Sequence, residues 1–250
     1  MRSLFHIYYS EEKIPQKTLD IHLPDGQPEA VFLYMHGGGL EGGDKCGDTA
    51  FIAPYLTARG IGVVGINYRL YPNAVFPQFI EDAAEAVAWT YAYMKNELGC
   101  DKLYVGGSSA GGYLSMMLCF DSRYLEKAGL DPSAIAGYFH DAGQPTAHYN
   151  ILHERGIDER RVIVDESAPL YFVGMRKSYP PMRFIVSDND MENRYEQTVL
   201  MLSTLRHFGY KDCDMRLMHG HHCAYVLGRD ENGDSLLAQM FMDFYSSLQR

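Results

Sequence analysis

A glycine-rich segment carries the side chain best suited to nucleophilic chemistry. Gly106–Gly112 reads GGSSAGG and contains the pattern G-x-S-x-G with Ser109 at its centre. The apolar segment Leu103–Val105 precedes it, and a helix-like segment, Tyr113–Phe120, follows. A serine on a sharp strand-to-helix turn has strained backbone geometry, so the residues two positions to either side must be very small. The pattern predicts Ser109 as the nucleophile; Ser108 is the weaker rival because its own frame lacks the second glycine.

Acidic and basic side chains that could activate this serine lie further along the chain. The candidates, all shortly beyond the ends of apolar segments, are Asp188, Asp190, His219, His221 and His222. A serine hydroxyl becomes a strong nucleophile only when a base takes its proton, and an acid must hold the base in the right tautomer. Spacing after Gly220 favours His222 as the base, and we predict Asp190 as the acid. Asp188 is left open as the alternative acid, and a cap of the following helix is the other role for either aspartate.

A second glycine cluster is suited to stabilising negative charge. Gly37–Gly39 follows the apolar segment Ala30–Met35 and the single residue His36. Ester hydrolysis develops negative charge on the carbonyl oxygen, and backbone N–H groups must already point at that oxygen. Glycine allows the main chain to approach so closely because it has no side chain. We predict the N–H groups of Gly38, Gly39 and Ala110 as the oxyanion hole.

Two rival functions would use the same residues. Gly37–Gly42 also matches the G-x-G-x-x-G of dinucleotide sites, but that motif requires an immediate helix and an acidic residue after the next strand, where the sequence has Asn67–Arg69. The three histidines and Cys223 could bind zinc, but adjacent residues of an extended segment point in opposite directions and the sequence contains no second ligand cluster. We therefore expect no metal and no cofactor, and we assign His36 to bracing its loop.

The elements that must position these residues alternate between two periodicities. Short apolar runs typical of buried parallel strands are separated by segments with helical spacing. The predicted strands are His6–Tyr9, Lys17–Leu23, Ala30–Met35, Gly62–Ile66, Leu103–Val105, Ala134–Phe139, Met182–Val186 and Asp214–Met218. The predicted helices carry apolar residues between Ile80 and Met94, between Tyr195 and Leu205, and between Leu236 and Leu248. This alternation predicts one α/β domain over residues 1–250, a mostly parallel sheet with helices on both faces and ligands at one edge.

Residues 141–179 form the least regular stretch, with no confident core element. Long insertions over a scaffold are often lids or binding loops. The tyrosines, prolines and glycines of this stretch suit a pocket lining, and a purely structural excursion is equally consistent with them. We predict that the segment is a lid or pocket-lining insertion.

Composition excludes several classes of partner. The 250 residues are 46% apolar and 22% charged, with a formal net charge of −10. These fractions are ordinary for a globular protein, and the negative charge argues against nucleic acid or an anionic membrane as partner. No apolar run approaches the roughly 20 residues of a membrane-spanning helix, and Met1–Ile14 lacks a signal-peptide pattern. Five scattered cysteines suit a reducing compartment, so we expect a cytoplasmic protein. The oligomeric state stays open.

Residues 31–113 resemble the hormone-sensitive-lipase-like and small carbohydrate-esterase branches of the α/β-hydrolases. The matching features are His36–Gly39, Tyr68–Pro72, Phe76–Pro77 with Asp82 five residues later, and Gly107–Gly111. The resemblance resumes near Pro180, where Asp190 and His222 fall on the family's acid and base positions. It implies the α/β-hydrolase fold, a scaffold role for Tyr68–Pro72, and an Asp82 that ties its helix to that loop. Compact acetyl- and feruloyl-esterase-like members are more similar than true lipases.

These observations predict a serine carboxylesterase that acts on a small-molecule ester. Small soluble esters are the expected substrates, with acetyl or feruloyl groups on carbohydrates as candidates. Amide hydrolysis of a formamidase or peptidase-like kind is the alternative reaction, because the sequence does not reveal the leaving group. A non-catalytic binding module on a hydrolase scaffold is the alternative from another class, although such modules usually lack a triad residue.

Overall fold

Within residues 1–249, which the computed structural model describes, eight strands form one central sheet. The strands are β1 (Arg2–Tyr8), β2 (Thr18–Leu23), β3 (Ala30–Met35), β4 (Ile61–Ile66), β5 (Leu103–Ser108), β6 (Ile135–Asp141), β7 (Met182–Asn189) and β8 (Cys213–His221). Their order across the sheet is β1-β2-β4-β3-β5-β6-β7-β8. The pairs β1–β2 and β2–β4 are antiparallel and all other pairs are parallel, so β3 to β8 end at one edge. The predicted mostly parallel sheet is confirmed.

Seven α-helices connect or flank these strands in the described part of the chain. They are α1 (Lys45–Thr57), α2 (Gln78–Glu97), α3 (Ala110–Phe120), α4 (Arg123–Lys127), α5 (Tyr149–Glu154), α6 (Arg194–His207) and α7 (Leu236–Ser247). Sequence periodicity does not identify α1, because Gly47 and the internal Pro54 weaken its helical character. None of the helices within residues 1–249 combines the length and the apolar character that crossing a membrane requires.

The sheet separates two hydrophobic cores. Alternate residues of β3 face opposite sides: Val31 and Leu33 pack in the core with α2, α3 and α6, whereas Phe32 and Tyr34 pack with α1 and α7. Because both faces are covered, β3 is apolar along its whole length, as buried parallel strands are. The strand bounds predicted for β3 match the structure. The predicted start of β6 at Ala134 is wrong by one residue, since Ala134 belongs to a short 3-10 turn.

Strands β5, β7 and β8 extend further toward their carboxyl ends than hydrophobicity predicts. Their last residues are polar or glycine, yet they remain paired with neighbouring strands, as in the pairing of Ser108 with Asp141. Backbone hydrogen bonding continues a strand wherever a neighbour is available, whatever the side chain. The polar ends of these strands therefore converge on one edge of the sheet.

Residues 141–179 pack more closely on the domain than the irregular sequence indicates. The segment contains α5, and its Ile151 and Phe172 join the core on the α3 side of the sheet. The Tyr113 hydroxyl of α3 donates a 2.7 Å hydrogen bond to the Ser167 carbonyl oxygen of the segment. The expectation that no core element lies here is wrong, because scattered apolar residues are buried through contacts distant in the chain. The lid or pocket-lining role stays a prediction.

Candidate active site

Ser109 lies on a strained turn between β5 and α3. Its backbone has φ 55° and ψ −113°, outside the conformations that L-residues favour. A side chain on Gly107 or Gly111 would clash with the carbonyl oxygen of Met35 on β3. The Ser109 N–H donates a 2.8 Å hydrogen bond to the carbonyl oxygen of Asp141 on β6. The two glycines of the G-x-S-x-G pattern thus allow the turn to press against β3.

Ser109, His222 and Asp190 form a continuous hydrogen-bonded chain at the carboxyl edge of the sheet. Ser109 Oγ is 2.8 Å from His222 Nε2, and His222 Nδ1 is 2.5 Å from Asp190 Oδ1. Asp190 also accepts hydrogen bonds from the backbone N–H groups of Met191, at 2.7 Å, and Ser187, at 3.2 Å. Each of the three residues directly follows a strand, β5, β7 or β8, and 113 residues separate the serine from the histidine. The structure brings the three predicted residues together.

The charge on Asp190 determines which nitrogen of His222 carries the proton. Burial raises the pKa of this carboxyl group, but hydrogen bonds from His222, Met191 and Ser187 outweigh it, and the net shift is downward. Asp190 is therefore ionised at neutral pH and accepts the proton of Nδ1. The tautomer with Nδ1–H leaves the Nε2 lone pair facing the Ser109 hydroxyl, as a general base requires.

Asp188 binds a different histidine. Its Oδ2 lies 2.6 Å from His219 Nδ1, and its Oδ1 accepts a 3.0 Å hydrogen bond from the Gly220 N–H. The His219 side chain is 92% exposed. Neither Asp188 nor Asp190 caps α6, whose N-cap is Asn193. Of the two aspartates, the structure brings only Asp190 to His222.

The Ser108 hydroxyl forms its hydrogen bonds with groups other than His222, so Ser108 is not the partner of the base. It is buried, its hydroxyl donates to the carboxylate of Asp141, and it accepts a 2.8 Å hydrogen bond from the Tyr34 hydroxyl. Successive residues at this turn therefore direct their hydroxyls to different groups. Of the two serines, only Ser109 forms a hydrogen bond with His222.

The glycine loop after β3 adopts a backbone that side chains disfavour. Gly38 and Gly39 have φ 110° and 67°, and a side chain on Gly39 would clash with the Tyr149 hydroxyl. His36 braces the loop, as predicted: its Nδ1 lies 2.7 Å from the Gly37 carbonyl oxygen, and its ring stacks on Tyr68 at 4.5 Å. The loop lines the same cleft as Ser109.

Asp82 ties α2 to the loop after β4, as the resemblance implies. It is buried and accepts hydrogen bonds from Arg69 Nε at 2.8 Å, from Arg69 Nη2 at 2.7 Å and from the Arg69 backbone N–H at 3.0 Å. A bidentate arginine–carboxylate pair fixes orientation as well as distance. The structural role predicted for Asp82 is confirmed.

An open cleft of about 610 Å³ leads to Ser109. Its wall combines the glycine loop with apolar side chains, including Met191, Val226 and Leu227, and with the aromatic ring of Tyr149. Within residues 1–249, no group of three or more histidine, cysteine, aspartate or glutamate side chains is arranged to hold a metal ion. The cleft is of a size that ordinarily accommodates small-molecule ligands.

Comparison of the sequence with known proteins identifies a family model and curated relatives that each match part of the chain. The BD-FAE family matches residues 19–131. Carboxylic ester hydrolase LipN of Mycobacterium tuberculosis (strain ATCC 25618 / H37Rv) is 38% identical over 123 residues, which cover 46% of this chain and 32% of LipN. The chain thus spans about a third of the length of the curated relatives it matches.

Solved structures match nearly the whole chain. Esterase B of Lactobacillus rhamnosis (HN001) has a TM-score of 0.78 at 19% identity, covering 98% of this chain and 85% of that one. A truncated carbohydrate esterase from gut microbiota has a TM-score of 0.75 at 17% identity, covering 98% and 97%. Both are similar to this chain throughout its sheet and flanking helices. The chain has the α/β-hydrolase fold.

The carboxyl edge of the sheet also holds a buried carboxyl group that sequence reasoning missed. Asp141, at the end of β6, is fully buried and accepts hydrogen bonds from the hydroxyls of Ser108 and Tyr225. Burial raises its pKa to about 7, although both hydrogen bonds oppose the rise. The available signal was its place two residues beyond the end of the predicted strand Ala134–Phe139.

The raised pKa of Asp141 predicts a pH-dependent stability. The folded protein holds this proton more tightly than the unfolded chain does. The free energy of unfolding contributed by Asp141 therefore falls as the pH rises from about 4 to about 7. Asp141→Asn removes the titration. We expect the free energy of unfolding of the variant, relative to wild type, to increase across that range by on the order of 2–4 kcal/mol. Urea unfolding at several pH values measures the difference, and a constant difference would contradict the assignment.

Proposed function

We propose that this α/β-hydrolase is a serine carboxylesterase that hydrolyses small carboxylic esters. The observation that carries the proposal is the pair of short contacts made by His222, at 2.8 Å to Ser109 Oγ and at 2.5 Å to Asp190 Oδ1. A base that contacts both a nucleophile and an orienting carboxylate is the arrangement that covalent acyl transfer needs. The similarity to LipN, a carboxylic ester hydrolase by name, supports the same reaction class.

The reaction proceeds through an acyl-enzyme. His222 Nε2 takes the proton of Ser109 as Oγ attacks the ester carbonyl carbon, and Asp190 stabilises the imidazolium that forms. The resulting oxyanion accepts hydrogen bonds from the N–H groups of Gly38, Gly39 and Ala110. The C–O bond to the alcohol then breaks, and the imidazolium gives its proton to the leaving oxygen. Water repeats the attack with His222 as base, which releases the acid and restores Ser109.

The proposed substrates are short acyl esters, with acylated carbohydrates as the preferred class. A cleft of about 610 Å³ has room for a short acyl chain together with part of an alcohol. Tyr149, from the segment 141–179, offers a ring on which a sugar could stack, and it supports the pocket-lining role proposed for that segment. The similar fold of a gut carbohydrate esterase points to the same substrate class.

A series of p-nitrophenyl esters from acetate to decanoate tests the proposal. We expect kcat/KM to be highest for the shortest chains, and acetylated xylan oligomers or methyl ferulate to be hydrolysed as well. The matched p-nitroanilides are expected to react far more slowly, because an amine is a poorer leaving group than a phenol. An optimum at long chains would exclude the small-ester substrates, and faster anilide hydrolysis would favour an amidase. No turnover of any substrate would favour a binding module.

A further inference from the structure

We propose that a second cavity, beside the Ser109 cleft, binds a carboxylate group of the substrate. This arginine cavity has a volume of about 450 Å³, and the residues that define it here are Gln144, Tyr149, Arg161, Met191, Asn193 and Arg194. The inference deepens the proposed esterase function and rests on it. The carboxylate is a second group of the substrate, in addition to the scissile ester.

The arginine cavity adjoins the reaction site. Tyr149 and Met191 line both the Ser109 cleft and the arginine cavity, so these two side chains form the partition between them. Met191 also follows Asp190 directly, and its backbone N–H donates to the Asp190 carboxylate. A substrate whose ester lies at Ser109 can therefore extend a second group past Tyr149 into this cavity.

Arg194 brings a buried positive charge to the cavity wall, where the nearby Asp190 carboxylate favours the charged form without forming an ion pair with it. The side chain is buried, with a residue exposure of 4%, and it donates to the carbonyl oxygen of Ala142, to Gln144 Oε1 at 3.4 Å and to Met191 Sδ at 3.9 Å. All three acceptors are neutral, and within residues 1–249 no carboxylate lies within ion-pair distance of Arg194. Burial lowers the pKa of its guanidinium, but arginine remains protonated in proteins. A buried charge without a counter-ion is costly unless a ligand supplies one.

Six other arginines of the chain form ion pairs, and none of those without one is buried within residues 1–249, apart from Arg194. Those that form ion pairs with aspartates are Arg69, Arg123, Arg155, Arg160, Arg183 and Arg216. Arg194 is more buried than any of these and yet forms no ion pair, which is the opposite of what stability alone would favour. The contrast indicates that its partner is an anion from outside the chain.

The rest of the cavity wall is compatible with an anion. Arg161 is exposed at its mouth, and the first turn of α6, with Asn193 and Gln197, contributes the positive end of the helix dipole. Of the two carboxylates that line the cavity, Glu159 is hydrogen-bonded to His153 at 2.7 Å, and Glu192 is exposed, where solvent and salt screen it. The planar guanidinium fork of Arg194 matches the two oxygens of a carboxylate.

Two pairs of esters locate the carboxylate on the acyl or the alcohol side. One pair is the 4-nitrophenyl monoester of glutarate and its neutral glutaramate counterpart; the other is 4-acetoxybenzoate and 4-acetoxybenzamide. We expect wild type to favour the carboxylate member of at least one pair by roughly 10- to 100-fold in kcat/KM, the range of a hydrogen-bonded charge pair. The pair that shows the preference identifies the side. No preference in either pair overturns the proposal.

Matched variants assign the preference to Arg194. Arg194→Met is expected to abolish the preference for the carboxylate ester, while neutral esters continue to react. Arg206→Met removes the same charge from the exposed last turn of α6 and is expected to retain the preference. Asn193→Asp is nearly isosteric and adds a carboxylate at the cavity, so it should lower the preference without removing a contact of Arg194. If Arg194→Met does not fold, the carboxylate preference of Asn193→Asp tests the proposal: a lowered preference supports it, and an unchanged preference contradicts it.

The outcomes separate this proposal from the proposed esterase function. Equal loss of activity toward both members of a pair in Arg194→Met would mean that Arg194 only braces the Asp190 loop, and would overturn the carboxylate site. If wild type hydrolyses no ester at all, the esterase proposal fails, and calorimetric titration of glutarate into wild type and Arg194→Met tests the site alone. Binding that weakens roughly 10-fold or more in the variant supports it, and equal or absent binding refutes it.

Discussion

Replacing Ser109 with alanine is expected to lower kcat for p-nitrophenyl acetate by about 10⁴- to 10⁶-fold. The variant keeps the His222–Asp190 pair but has no oxygen to attack the carbonyl carbon, so no acyl-enzyme forms. The measurements are steady-state hydrolysis and labelling with a fluorophosphonate probe, which reacts with activated serines. We expect the variant to lose labelling completely.

Ser108→Ala is the matched control for Ser109→Ala. It removes the same atom one residue earlier, from a hydroxyl that binds Asp141 and Tyr34 and does not contact His222. We expect some loss of stability, because the buried Asp141 loses a donor, but the folded fraction should still be labelled and active. Labelling that disappears in Ser108→Ala and persists in Ser109→Ala would reverse the assignment of the nucleophile.

Asp190→Asn is expected to lower kcat by about 10⁴-fold, the effect of the same change in a serine protease triad. Asparagine has nearly the same shape, but its amide can donate to His222 Nδ1. This stabilises the tautomer with the proton on Nε2, which cannot accept the Ser109 proton. Hydrolysis of p-nitrophenyl acetate above and below neutral pH, together with a thermal unfolding scan, separates a catalytic defect from unfolding.

Asp188→Asn is the corresponding control, two residues earlier at the end of β7. Asp188 binds the exposed His219 and the Gly220 N–H instead of the base. Surface pairs of this kind contribute little to stability, so we expect kcat close to wild type. A larger loss from Asp188→Asn than from Asp190→Asn would mean that the other aspartate supports the base.

The sequence by itself determined the parts of this protein that depend on local geometry. The spacing of Gly107, Ser109 and Gly111 identifies a strained strand-to-helix turn, because only very small residues can flank it. The apolar run of β3 identifies a strand buried on both faces, and its predicted bounds match the structure. A mostly parallel sheet with helices on both faces follows from the alternation of such strands with helices. For the turn and for β3, a few consecutive residues are enough to explain the local structure.

Only the tertiary structure decided what depends on distant side chains. It selects Asp190 over Asp188 as the neighbour of His222, because the bulged pairing of β7 with β8 sets which carboxylate reaches the ring. It gives the irregular segment 141–179 its share of the core, and it buries Asp141 and Arg194 among residues remote in the chain. Burial and charge compensation are properties of surroundings assembled by folding, so residue spacing alone cannot reveal them.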